Sequence, residues 1–292
     1  MNANATAKRN LQLLIIDPQN DFCDLPAPYL LSNLVIQNKP ALHVTGAHQD
    51  MLRIANLIHD GATGISAINV TLDSHHHIDI AHPTFWMDNK QQAIPPFTQI
   101  LASQVRAGQY QPRLAQNLPR TLAYLDALEA TGRYTLMVWP IHCEIGSWGQ
   151  AVHADMRYAY NRWEEVTMNS VNLVQKGANP WTEHYSALQA EVPDSDDDET
   201  QLNRGLLAVL AQADKVYIGG EAGSHCVKAT VEHLVANTAA SELSKYVLLT
   251  DCISAVGGFE AQQASFFQEM AARGVQLATA AQVLPELIAN AE

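Results

Sequence analysis

LQLLIIDPQNDF, residues 11–22, is the stretch whose reading decides the fold. Its apolar run reaches Asp17 with almost no polar alternation, and Pro18 then turns the chain. A run of this kind fits a strand buried on both faces, as in a parallel sheet. Comparable runs recur at ISAINVTLD (65–73), YTLMVWP (134–140), VNLVQKG (171–177), KVYIGG (215–220) and YVLLTD (246–251), with a further one beginning at Val275. Amphipathic helical patterns separate them at 50–60, 120–132, 201–213, 226–240 and 260–274. Buried strands alternating with helices predict βαβ units, with right-handed crossovers placing helices on both faces of a mainly parallel six-stranded sheet. The reading takes 1–292 as one α/β domain. Segments 24–39, 84–117 and 178–200 exceed the short connections of such a fold and read as insertions. The acidic run Asp194, Asp196, Asp197, Asp198 and Glu199 reads as a solvated loop, because contiguous like charges repel and extend.

Composition narrows the function classes. The 292 residues include 17 basic and 30 acidic side chains, a net charge of −13, which argues against a nucleic-acid surface. With 47% hydrophobic and 16% charged residues the chain fills a globular core. The polar N-terminus lacks signal-peptide character, and no apolar run approaches the roughly 18 residues of a membrane span. A soluble, cytoplasmic protein with no membrane partner is expected. The four cysteines, Cys23, Cys143, Cys226 and Cys252, lie far apart without a CxxC pair, so a special cysteine here is chemical rather than structural.

In an open parallel sheet, ligands bind beyond the carboxyl ends of the strands. Asp17, Asp73, Trp139 with His142, Lys176 and Cys226 all fall there. Cys226 stands in GGEAGSHCVKAT (219–230), where glycines permit a tight turn and a helix follows. The positive end of that helix favours a thiolate, making Cys226 a candidate nucleophile. Asp17 is placed to take the thiol proton and return it to a leaving group, with Lys176 stabilising the anions. Each residue alone has a plainer reading: a small buried thiol, a turn-forming Asp before Pro18, a solvated lysine. Their common location carries the argument.

Asp73-Ser-His75-His76-His77, followed by Asp79 and His82, is the densest source of metal ligands, and His142 in WPIHC can join it. Carboxylate with imidazole suits zinc, iron or manganese. The D-x-H spacing selects His75, while His76 and His77 stay open. Phe22 and Trp139 are the aromatics best placed against a flat substrate ring.

Taken together, IIDPQNDF (15–22), PALHVTGA (40–47), TLDSHHHIDIAHP (71–83), WPIHC (139–143), VQKG (174–177) with YSAL (185–188), and GGEAGSHCVKAT (219–230) resemble, in order, the nicotinamidase branch of the isochorismatase-like cysteine hydrolases. The resemblance implies a Rossmann-like three-layer α/β/α sandwich and amide hydrolysis by a triad mapping onto Asp17, Lys176 and Cys226. It implies a divalent metal, zinc before iron or manganese, on Asp73, His75, His82 and His142. It further implies an oxyanion hole of the Ala222 and Cys226 N–H groups, a cis peptide at Glu221–Ala222, a role in NAD salvage and a homo-oligomer. The family usually carries a small or apolar residue at position 221; Glu221 is therefore expected in the substrate pocket beside Phe22 and Trp139. Two other readings remain: an amidase for a different small carboxamide or ureido substrate, and a non-catalytic assembly module.

Overall fold

The computed structural model describes residues 8–30 and 38–291. Residues 31–37 of the first insertion lie outside them. Ten strands are formed: β1 (Leu11–Ile16), β2 (Ala67–Asp73), β3 (Trp86–Asp88), β4 (Thr98–Ile100), β5 (Tyr110–Pro112), β6 (Leu136–Val138), β7 (Asn172–Lys176), β8 (Lys215–Gly220), β9 (Tyr246–Leu249) and β10 (Gln276–Ala278). The helices are α1 (Ala47–Gly61), α2 (Ala102–Arg106), α3 (Leu118–Thr131), α4 (Ala154–Thr167), α5 (Arg204–Ala211), α6 (Cys226–Ala236), α7 (Glu260–Ala272) and α8 (Ala280–Ala289).

Six strands build the main sheet in the order β10-β9-β8-β1-β2-β7, every pair parallel. All six residues of β1 are buried, as its unbroken apolar run requires. From β1 the chain builds outward through β2 to β7, then returns to build β8, β9 and β10 on the other side. The order therefore reverses between β1 and β8, and a crevice opens there beyond the carboxyl ends. Helices flank the sheet; α1 packs on α4, α8 and β8.

Two expectations need correction. The run at 134–140 supplies only β6, which pairs antiparallel with β4 instead of joining the main sheet. The 84–117 insertion causes this, since β4 comes from within it and takes up the β6 backbone. The same insertion, with α3 and β6, packs a second apolar cluster around Trp86, Ile100, Leu125, Leu128 and Val138. The run at 171–177 is an edge strand rather than one buried on both faces: Leu173 is 52% exposed, and only Lys176 of β7 is buried.

Helix α4 falls where no helical pattern was read. Its polar composition masks a stripe of Met156, Ala159, Tyr160 and Trp163 at helical spacing, all buried. The acidic run lies in a largely exposed loop, as expected. Asp194 accepts from Arg120 at 2.7 Å and from Asn179 at 3.2 Å, while Asp197 accepts from Asn179 at 2.9 Å, so these acids shape a turn. Among the described residues, no helix is long and apolar enough to cross a membrane.

Candidate active site

Register delivers the reactive groups together. Ile16 lies opposite Gly220 and Asp73 opposite Lys176, so β1, β2, β7 and β8 end side by side. Gly220 has φ +120°, and a side chain there would strike the Ile16 carbonyl; only glycine lets the turn that leads to Cys226 leave the sheet this close to β1. Glu221 N–H then donates to Ile16 O at 2.8 Å. The Glu221–Ala222 peptide is cis, as the resemblance implied. Cys226 is the first residue of α6, and among the described residues neither its N–H nor that of Ala222 donates to a protein group.

Lys176 is the hub. Its ammonium lies 3.0 Å from Asp17 Oδ2 and 3.0 Å from Asp73 Oδ1, donates to His184 O at 3.1 Å, and sits 3.7 Å from Cys226 Sγ. Thr71 Oγ1 donates to Asp17 Oδ1 at 2.6 Å and accepts from Asp17 N–H at 3.0 Å, fixing the carboxylate although Asp17 itself has φ +47°. Burial disfavours the charged ammonium, yet Asp17 and Asp73 together raise the lysine well above its ordinary range. For Asp17, burial outweighs Lys176 and lifts the carboxyl, with Asp73 adding to the rise.

The thiolate expected from helix position alone is overturned. Burial dominates and holds Cys226 well above the usual thiol range; Lys176 opposes this, while Asp17 and Asp73 reinforce it. The thiol keeps its proton until a base removes it. Asp17, held at 3.0 Å by the same ammonium that lies 3.7 Å from Sγ, is the base at hand.

Three imidazoles, His75, His82 and His142, converge with one nitrogen each within 4.8 Å of one another, all buried. Asp73 Oδ2 lies 3.0 Å from His75 Nε2 and 3.4 Å from His142 Nε2. His76 and His77 are exposed, and His77 pairs with Glu144 at 3.1 Å, so His75 is the inward member of the run. Burial presses His82 down to about 2, with His142 and His75 adding to the effect, so it is neutral, and its buried Nδ1 has no partner. For Asp73, burial pushes upward, but His75 and Lys176 outweigh it and hold the carboxylate well below its ordinary range. A neutral imidazole with an orphaned nitrogen, two further imidazoles and an ionised carboxylate form a donor set that fits zinc.

Beside these groups a narrow cleft of about 20 Å³ is lined by Phe22, Leu42, Trp139, Tyr185, His225 and Val256, together with Asp73, His142, Glu183, Ala222 and Cys226. Phe22 and Trp139 therefore line the cleft as expected. Glu221 does not. Its carboxyl is fully buried, and Oε2 accepts from Ser254 N–H at 3.3 Å.

Several residues escaped the sequence reading. Tyr185 accepts from Trp139 Nε1 at 3.1 Å, and His225 stacks edgewise on Trp139 at 5.1 Å. His225 directly precedes the nucleophile and Tyr185 opens the YSAL stretch, so proximity to known motifs was the available signal. Glu183, raised to about 7 chiefly by burial, gave no local sign. Gln19 clamps Asp73 by two backbone hydrogen bonds of 2.7 Å, and Asp21 accepts from Cys143 N–H at 2.7 Å, holding the loop that carries His142.

No protein-family model matches the chain, and no curated protein matches it. Solved structures do. The chain is similar to the yeast nicotinamidase bound to the inhibitor nicotinaldehyde, at 20% identity and TM-score 0.59 over 92% of this chain and 99% of that one. It is similar to a nicotinamidase of Acinetobacter baumanii, at 18% identity and TM-score 0.60 over 95% and 100%. It is also similar to the pyrazinamidase of Pyrococcus horikoshii in complex with zinc, at 17% identity and TM-score 0.50 over 92% and 99%. The chain has the α/β fold shared by these proteins and by an isochorismatase-like hydrolase of Alkaliphilus metalliredigens.

Proposed function

We propose that the chain is a cysteine amidohydrolase that converts nicotinamide and water to nicotinate and ammonia. The observation that carries this reading is one ammonium, Lys176, touching Asp17, Asp73 and Cys226 at the floor of a narrow aromatic cleft. The likeness in fold to nicotinamidases supports the choice of substrate. A buried thiol, acid and lysine held in contact have no structural use that an apolar cluster would not serve better.

Asp17 takes the proton of Cys226, and Sγ attacks the carboxamide carbon. The Ala222 and Cys226 N–H groups hold the resulting oxyanion. Asp17 then returns the proton to the amide nitrogen, the C–N bond breaks, and ammonia leaves a thioester on Cys226. Asp17 next takes a proton from water; the hydroxide attacks the thioester carbon, expels Sγ, and the thiol regains its proton as nicotinate departs. Lys176 keeps Asp17 positioned and offsets the negative charge that develops at Sγ. Phe22, Trp139 and Tyr185 enclose a flat ring. Asp73, His75, His82 and His142 would hold zinc, which when bound supplies a Lewis acid and a coordinated water at the ring's edge. Such an activity serves NAD salvage.

The test is ammonia release from nicotinamide by purified protein, before and after chelation and zinc restoration, with Cys226→Ala as control. Activity lost in the variant supports the reading. Undiminished turnover by Cys226→Ala overturns the mechanism, and activity confined to other carboxamides or ureido compounds overturns the substrate.

A further inference from the structure

The carboxyl end of β7 lacks the support that holds β1, β2 and β8. β7 pairs with β2 alone, and its last pair, Lys176 with Asp73, is followed at once by Gly177. Gly177 has φ +86°, and a side chain there would crowd Asp73 Oδ1 at 2.9 Å, so the chain leaves the sheet on a residue with no side chain to anchor it. The ammonium that gathers Asp17, Asp73 and Cys226 therefore stands at an unpaired sheet edge. Lys176 and Gly177 also border a cavity of about 510 Å³, whose lining includes Asp197, Asp198 and Glu199. An ammonium not held inward would have those carboxylates to turn to.

His184, from the 178–200 insertion, supplies what a further strand would. Its carbonyl accepts from Lys176 Nζ at 3.1 Å, and its ring Nδ1 accepts from Gly177 N–H at 3.3 Å. One residue thus grips both the tip of the lysine and the backbone that follows it. An N–H donates only to an unprotonated nitrogen, so Nδ1 carries the lone pair and the single ring proton is on Nε2. His184 is 6% exposed, and burial, followed by Lys176, presses it down to about 3, in keeping with a neutral imidazole. The histidine is itself fastened. Its N–H donates to Glu183 Oε1 at 3.1 Å, Glu183 N–H donates to Tyr124 OH of α3 at 3.1 Å, and Glu183 O accepts from Glu191 N–H at 2.9 Å.

We infer that His184 is a positioning residue: by accepting from Gly177 N–H and Lys176 Nζ together it closes the open end of β7 and keeps the ammonium on Asp17, Asp73 and Cys226. The 178–200 insertion thereby acts as a brace between α3 and the lysine. The inference rests on the amidohydrolase reading for its catalytic consequence, though the clasp itself does not depend on the substrate.

Asn and Leu have nearly the same shape, and only Asn carries an acceptor, its Oδ1 lying near the place of the histidine Nδ1. His184→Leu is expected to lower kcat for nicotinamide by up to about 10²-fold with KM little changed, as for a small misplacement of catalytic groups. His184→Asn is expected to recover turnover to within about threefold of wild type. Amide exchange followed by NMR separates the clasp from general loosening. The Gly177 N–H should exchange at least about tenfold faster in His184→Leu than in His184→Asn, while the amides of β1 keep their wild-type protection. Where the Leu variant does not fold, the ¹⁵N shifts of the wild-type imidazoles decide, since His184 must show an unprotonated Nδ1 and a protonated Nε2. A proton on Nδ1 in the wild type, a Leu variant as active as wild type, or an Asn variant as impaired as Leu would each overturn the clasp. A wild type that turns over no amide overturns the amidase reading alone, and the clasp is then decided by the Gly177 exchange rates and the His184 tautomer.

Discussion

Replacing Lys176 with Met isolates the electrostatics of the site, because Met preserves the stem and removes the charge. In the native protein the ammonium is 3.0 Å from each of two buried carboxylates. Its loss leaves Asp17 without a cation and Asp73 with His75 alone, and breaking a buried pair from one side costs about 3–5 kcal/mol. The deficit has a definite pH dependence. Without Lys176 the burial of Asp17 is less opposed, so its folded carboxyl binds a proton more tightly than in the unfolded chain, where Asp titrates near its ordinary value of 3.8. A folded pKa raised above the unfolded one makes stability fall as pH rises between the two. The penalty is therefore greatest near neutrality and shrinks as the pH approaches 4. Urea unfolding of chelator-treated wild type and Lys176→Met, at several pH values, measures it directly. A second substitution, Asp17→Asn, should recover part of the stability while leaving the protein inactive. A single variant within about 0.5 kcal/mol of wild type at pH 7, or a deficit independent of pH, would refute the account of Lys176 as the charge that holds the site together.

Three further outcomes are expected. Substituting His82 or His142 by Ala should reduce bound zinc from about one per chain to a small fraction, with the circular dichroism spectrum retained; unchanged metal content would place the ion elsewhere. His153 lies buried with Nε2 2.9 Å from His48 Nδ1 and is pressed down to about 4, chiefly by burial and then by His48. Because the unfolded chain takes up a proton first, this residue withdraws about 3 kcal/mol of stability as the pH falls from the ordinary histidine value of 6.5 to 4, and His153→Gln should flatten that part of the acid profile. Gly220→Ala combines φ +120° with a collision against Ile16 O, so chemical denaturation should show a loss of about 2 kcal/mol or more.

What the sequence disclosed divides along a physical line. Asp17, Asp73, Lys176 and Cys226 were legible because strand ends in a parallel sheet converge, a rule of topology that needs no side-chain detail. The D-x-H spacing correctly separated inward His75 from exposed His76 and His77, because residues two apart on an extended segment point the same way. Direction failed at Glu221, whose buried carboxyl is held by Ser254 N–H instead of lining the cleft. The ionisation of Cys226 was misread for a different reason: burial, absent from a helix-terminus argument, outweighs the dipole. β6 was misplaced because its partner β4 lies in an insertion without a recognisable period, and α4 was missed because its apolar stripe is narrow. Glu183 is close to the metal-ligand cluster only through tertiary packing, which no local pattern encodes.

Lys176 sits on an edge strand of the main sheet. β7 pairs on one side only, with β2, and its outer residues are largely exposed while Lys176 at its tip is sealed. A strand secured this way opens more easily than β1, which is paired on both sides and wholly buried. Amide hydrogens of residues 172–175 should therefore exchange long before those of β1 and β8. Each such opening withdraws the ammonium from Asp17, Asp73 and Cys226 together while the rest of the sheet stays intact. Mild heat or denaturant should accordingly take this site apart by peeling one strand, before any global transition is visible.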